Sequence, residues 1–247
     1  MDKLIYTAMT GASHVLQQQA SVSENLANAS TPGFRATLST FRAVPLVGEG
    51  LPTRAFVVDS TAGFDSTPAA FQPTGRALDV AVNGSGWIAV QGSDGKEAYT
   101  RNGSFQISSS GVLQTRTGLN VLGESGPITI PQGTQFTFAK DGTISTVPEG
   151  NQATSVIVVG RLKLVNPAAD QLERGGDGLF RLKDGSVAPA DAKTEVVPGN
   201  LEGSNVNTVE MMVNMISLAR KFDMQMKMLT TADNDAKQAS SIMSIAG

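Results

Sequence analysis

Ile5, Ala8, Ala12, Val15, Val22 and Leu26 recur at alternating steps of three and four, with Gln19 filling the one polar place in the row. That spacing is the seam of a coiled coil, so a helix is predicted whose apolar face needs a partner helix. Asn28 and Pro32 mark its end. Asn tolerates a left-handed cap, the residue before proline is pushed to extended geometry, and Gly33 permits a sharp turn. Phe34 then offers an apolar anchor for the exit. At the other end of the chain Val209, Met212, Ile216, Ala219, Phe222, Met226, Leu229 and Ala236 form a second row, and no Gly or Pro interrupts residues 204–246. Asn207 or Thr208 can cap this helix, which to about Ser240 would be roughly 50 Å long.

The middle alternates differently. Leu78, Val80 and Val82 point one way, Asn83-Gly84 supplies turn conformations, and Trp87-Ile88-Ala89-Val90 reads as a returning strand, predicting a hairpin. Turn pairs follow at Asp94-Gly95, Asn102-Gly103, Ser110-Gly111, Asp141-Gly142 and Asp184-Gly185, between apolar runs such as Phe136–Phe138, Val156–Val159 and Leu179–Leu182. The predicted fold is a mainly β central domain, an antiparallel sheet, sandwich or open barrel, flanked by N- and C-terminal α-helices that pair as a coiled coil in an assembly. Four segments follow: an N-terminal helix and exit turn (1–34), an extended connection ordered only in the assembly (35–77), a β-rich domain (78–200) and a C-terminal helix (201–247).

Composition sharpens this division. All 11 prolines lie between Pro32 and Pro198, and all 9 methionines lie before residue 10 or from Met211 onward. The first 30 residues carry only the charges of Asp2, Lys3 and Glu24; the faces away from the seam hold Gln17, Gln18, Ser21, Ser23, Asn25 and Asn28. A solvated helix face is normally charged, whereas small uncharged polar residues suit packing on several sides, which predicts a polymer. A net charge of −3 without basic runs gives no footprint for nucleic acid or anionic lipid. No apolar run has the length of a bilayer span or the form of a cleavable secretory signal, so export is expected by another route.

Chemistry is poorly supplied. With 0 cysteines and His14 as the single histidine, thiolate catalysis and transition-metal sites are disfavoured. Gly84-Ser85-Gly86-Trp87-Ile88-Ala89 matches a dinucleotide-binding spacing, but a strand follows where a helix N-terminus is required. The Asp-Gly pairs lack the spaced ligands of a calcium loop, and Asn-X-Ser triplets are common by chance. No serine near His14 sits on a nucleophile elbow, so the histidine reads as a helix-surface residue. Arg76, Asp79, Arg101, Asp177 and Arg181 read as surface ion pairs or subunit contacts. No enzyme activity, cofactor, metal or small-molecule substrate is expected.

Four segments resemble the rod and hook proteins of the bacterial flagellum, most like the proximal rod members. They are Asn25-Leu26-Ala27-Asn28-Ala29-Ser30-Thr31-Pro32-Gly33-Phe34, the stretch from Thr74 to Trp87, Tyr99-Thr100-Arg101-Asn102-Gly103-Ser104-Phe105, and Leu201–Asn207 followed by Val209–Ile216. The opening Met1-Asp2-Lys3-Leu4-Ile5-Tyr6 favours the proximal over the distal type. Glu24 and the stretch Ser217–Asp223 depart from the common wording. The resemblance implies a structural subunit of the basal-body rod, exported without a cleavable signal by the flagellar type III apparatus. Its terminal segments would fold into the inner tube and transmit torque, with other rod and axial proteins and its own copies as partners. The alternatives are a distal rod or hook-type protein and, from another class, a secreted carbohydrate-binding or adhesin-like β-domain.

Overall fold

The computed structural model describes residues 4–45, 55–131, 134–148 and 156–245. The chain divides into two compact units, one made of Met1–Ala29, Ala36–Phe64 and Val206–Gly247, the other of Ser30–Arg35 and Asp65–Asn205.

The first unit is built on two helices, α1 (Leu4–Ala27) and α2 (Thr208–Ile245), which pack on each other. Asn207 caps α2: its side-chain oxygen accepts from the Val209 and Glu210 amides at 3.2 and 3.3 Å, satisfying donors that have no partner inside the helix. On α1 the covered positions are Ala8, Ala12 and Val15, with Ile5, Gln19, Val22 and Leu26 half-buried. Small residues dominate this row, and at Gly11 the approach is close enough that a Cβ would meet the Gln225 side chain at 3.1 Å. On α2 a less exposed row runs Met211, Met215, Leu218, Phe222, Gln225, Leu229 and Ala232, again at steps of four and three, with Asn214 half-buried beside it. Only Phe222 and Leu229 belong also to the row read from the sequence. Val209, Met212, Ile216, Ala219 and Met226 are exposed. Methionine fills both rows, so α2 carries two offset apolar stripes, and the intramolecular pairing uses the other one.

Strands β1 (Thr37–Pro45) and β2 (Ala55–Phe64) form an antiparallel ribbon in the same unit, from Thr37 opposite Phe64 to Pro45 opposite Ala55. Residues 35–77, expected as an extended connection, therefore hold a strand pair and the further strand β3 (Phe71–Pro73). Asn25, 4% exposed, joins α1 to the ribbon: its amide nitrogen donates to the Thr37 carbonyl (2.9 Å) and its oxygen accepts from the Thr37 amide (2.8 Å). A side chain thus serves as a strand's first partner.

The second unit is mainly β, with a short 3-10 turn at Ala169–Gln171. In chain order after β3 come β4 (Val80–Val82), β5 (Trp87–Gln91), β6 (Glu97–Thr100), β7 (Phe105–Ile107), β8 (Leu113–Thr115), β9 (Leu122–Gly123) and β10 (Gly126–Pro127). The second half supplies β11 (Thr134–Phe138), β12 (Thr143–Pro148), β13 (Ile157–Arg161), β14 (Leu164–Val165), β15 (Leu172–Arg174), β16 (Phe180–Leu182), β17 (Val196–Pro198) and β18 (Asn200–Glu202). The largest sheet runs β14-β5-β6-β16-β15, beside a three-stranded β11-β12-β13 meander and two-stranded pairs. Val82, Ile88, Val90, Phe105, Leu113, Phe138, Ile144 and Leu164 are among the residues of its core. The central region is mainly β, and among the described residues its strands form no closed barrel.

The hairpin expected from Leu78 to Val90 does not form. β4 is occupied on both sides: Val80–Val82 pairs with Pro198–Val196, and Asp79 bridges Ser104, with Val80 taking the Gly103 carbonyl at 3.0 Å. No edge is left for β5, which pairs with β6 and β14. Asn102-Gly103 is correspondingly no hairpin loop. A Cβ at Gly103 would lie 1.7 Å from the Val80 carbonyl oxygen, so glycine is there for strand approach.

Aspartates close several turns. Asp141 accepts from the Thr143 hydroxyl (2.8 Å) and amide (3.0 Å), and Asp184 from the Ser186 amide (2.9 Å) and hydroxyl (2.8 Å). Asp177 is held by Arg181 at 2.7 Å. These bonds favour the carboxylate, and all three pKa values lie below the ordinary 3.8: Asp141 through the Thr143 hydroxyl, Asp177 through Arg181, Asp184 through the Ser186 amide. A depressed carboxyl pKa contributes stability that is complete above the unfolded value and is lost as pH falls through the folded one. The melting temperature is expected to be flat from neutral pH to about 5 and to fall below about 4, as thermal melts across that range will show.

Candidate assembly interface

The segments singled out in the sequence meet at one carboxylate. Glu202, at the end of β18, is fully buried; its Oε1 accepts from Arg35 Nη2 at 2.7 Å and from the Ala69 amide at 3.0 Å. Its Oε2 accepts from Arg101 Nε and Nη2, both at 2.7 Å. Arg101 also donates to the Gly86 carbonyl and, at 3.4 Å, to that of Val82, and lies 5.9 Å from the Trp87 ring centroid. Burial lowers its pKa from the usual arginine value, and Glu202 pulls it back.

Backbone bonds complete the cluster. The Gly33 amide donates to the Glu202 carbonyl (2.8 Å), Asn205 to the Phe34 carbonyl (3.3 Å) and Gly203 to the Ala70 carbonyl (3.0 Å). The Asn205 side chain donates to the carbonyls of Asp65 (3.0 Å) and Thr67 (3.2 Å). Phe34 is buried under the Arg174 guanidinium, 4.5 Å from its ring centroid. Residues 31–35, 65–70 and 200–205 are thus lashed together inside the β unit. Each leads into a stretch of the helical one.

Arg101 and Asp79, read as surface charges, are 1% and 2% exposed. Asp79 accepts from the Ser104 hydroxyl (3.2 Å) and faces Arg76 at 3.3 Å. Arg181 and Asp177 are the exposed pair that reading described. Glu202 stands in a segment that carries the family resemblance but has no role of its own in that reading, and Arg35 falls just outside one; a lone Arg and Glu separated by 167 residues give no spacing signal.

Gly33 has φ +70, as the turn at Pro32 required, and a Cβ there would sit 2.4 Å from Arg101 C and Asn102 N. Gly33→Ala therefore meets backbone, in a left-handed conformation. It is expected to destabilise the β unit by about 2–3 kcal/mol, read by urea denaturation.

Among the described residues no group of three or more His, Cys, Asp or Glu is placed to hold a metal. His14 is half-buried, with Nδ1 3.0 Å from Gln17 Oε1 and its ring edge-on to Phe41. What the helical unit does present is apolar surface. Val209, Met212, Val213 and Ile216 on α2 are 53–69% exposed, and α1 exposes Tyr6, Met9 and Leu16.

Three family models match the chain. A flagella basal body rod protein model covers residues 5–35, a flagellar hook protein FlgE/F/G D1 domain model 81–146, and a flagellar basal body rod FlgEFG protein C-terminal model 197–242. The chain is 51% identical over 251 residues to the flagellar basal-body rod protein FlgF of Escherichia coli (strain K12), covering 99% of this chain and 100% of that one. It is 49% identical to the FlgF of Salmonella typhimurium, with the same coverage, and 30% identical to the FlgG of Bacillus subtilis, covering 94% and 96%. The matched segments include Gly33, Arg35, Arg101 and Glu202, so the buried cluster unites all three, and the chain belongs to the flagellar basal-body rod protein family, with the proximal FlgF type as the nearer likeness of the two.

Proposed function

We infer that the chain is a structural subunit of the flagellar rod that polymerises through its terminal helices, with no catalytic role. The observation that carries this reading is the exposed row Val209, Met212, Ile216 on α2, which remains uncovered when α1 and α2 pair through other residues. An apolar stripe left outside the intramolecular seam is a surface for a further helix. On this reading Ile5, Ala8, Ala12, Val15, Val22 and Leu26 hold α1 to α2. The turn from Asn28 through Pro32, Gly33 and Phe34 directs the chain into the β unit. Val209, Met212, Ile216, Ala219 and Met226 meet neighbouring subunits, while Phe222 and Leu229 support the seam.

The partners are copies of this chain and other rod and axial proteins, and the location is the periplasm-spanning rod. Delivery is by the flagellar type III apparatus. The test is complementation of a strain lacking the protein. Chains without residues 1–30 or 206–247 are expected to be absent from purified basal bodies and to leave cells non-swimming; incorporation of either would overturn the reading.

A further inference from the structure

Arg35 and Arg101 share one carboxylate but are not equivalent. Arg101 uses Nε, Nη1 and Nη2, with two bonds to Glu202 and one each to the Gly86 and Val82 carbonyls. Arg35 uses Nη2 alone; its buried Nε and Nη1 have no acceptor among the described residues. Charge divides the same way. Arg101 neutralises Glu202, so Arg35, 2% exposed, is a surplus buried cation that also repels Arg101.

We propose that this cluster is an asymmetric latch, in which Arg101 and Glu202 form the fixed half and Arg35 the releasable half. Residues 30–35 can then lift from the β unit while residues 199–205 stay in place. Release costs Glu202 little: Oε2 keeps both bonds from Arg101 and Oε1 keeps the Ala69 amide. It also returns the Arg35 donors to water. Among the contacts that hold the segment down are the Gly33 amide on the Glu202 carbonyl, the Asn205 amide on the Phe34 carbonyl, and Phe34 under Arg174. Release of residues 30–35 in this way leaves the β core folded. The inference rests on the cluster alone and stands whether or not the chain builds a rod.

Amide hydrogen exchange on the full chain tests it. In the unaltered protein Gly33 is expected to exchange about 100-fold faster than Gly203, whose amide is bonded to Ala70 across the fixed half. Arg35→Met removes the surplus cation but keeps apolar bulk; it should slow Gly33 exchange about tenfold and hold or raise the melting temperature. Arg101→Met should instead expose Gly33, Ala69 and Gly203 together. Equal exchange at Gly33 and Gly203 in the unaltered protein, or faster Gly33 exchange and a lower melting temperature in Arg35→Met, would overturn the proposal. Both readings stand without the Arg101 variant, should it fail to fold.

Discussion

Glu202→Gln is expected to destabilise the β unit by about 3–5 kcal/mol, lowering its melting temperature by on the order of 10 °C. The substitution keeps volume and shape and removes only charge. Two guanidinium groups, 1% and 2% exposed, are then left facing a neutral amide. An amide has one acceptor oxygen where the carboxylate had two, so either Arg35 or Arg101 must face the NH2 group, donor against donor. The loss follows from stranding buried charge and says nothing about how much the intact cluster contributes, since an apolar core of equal volume can be as stable. Asp177→Asn supplies the contrast: it also breaks an arginine pair at 2.7 Å, but one partly open to water, and about 1 kcal/mol or less is expected. Circular dichroism melts of the two variants at pH 7 decide the matter. A Glu202→Gln shift below about 2 °C would mean that the two cations are hydrated and the cluster carries little of the unit's stability.

What could be read from the sequence followed local periodicity and turn chemistry. The α1 row from Ile5 to Leu26 describes the face that is covered because one stripe of small apolar residues stands against Gln and Ser. On α2 the same reasoning met two stripes. Met212 and Ile216 are as apolar as Met211 and Met215, and burial separates them only once a partner is in place. Turn glycines at Gly95, Gly111, Gly142 and Gly185 have the positive φ expected of them. The Asn83-Gly84 turn is real in the same sense, with Gly84 at φ +76, yet it joins strands of different sheets. A turn signal specifies a change of direction and leaves strand pairing to whichever edge is free.

The charge cluster was illegible for a different reason. Its members Arg35, Arg101 and Glu202 come from widely separated parts of the chain's path through the β unit, and nothing local distinguishes Arg101 from Arg181, each placed beside a strand. Burial decides between them, and burial of Arg101 depends on Glu202, which lies 101 residues away. The motifs that resemble the rod family contain Arg101 and Glu202, and Arg35 directly follows one of them. Reading them by spacing assigned roles to the turn residues Asn28, Pro32 and Gly33 and passed over the buried pairs that Arg35 and Arg101 make with Glu202.

Met212→Glu with Ile216→Glu is expected to abolish swimming while leaving the isolated protein as stable as before. Both side chains are more than half exposed, at 53% and 57%, and lie off the face that Leu218 buries. Glutamate has good helix propensity, so the monomer's stability should change by no more than about 0.5 kcal/mol. Two carboxylates in an apolar helix interface are another matter. Each must be desolvated where an apolar side chain fitted, at several kcal/mol apiece, enough to prevent subunit addition. Swimming in soft agar by a complemented null strain, with the variant detected in the cell and its melting curve measured in parallel, separates the two effects. Wild-type swimming would show that this stripe meets no neighbour in the rod, and the contact between subunits would then have to lie on Tyr6, Met9 and Leu16 of α1.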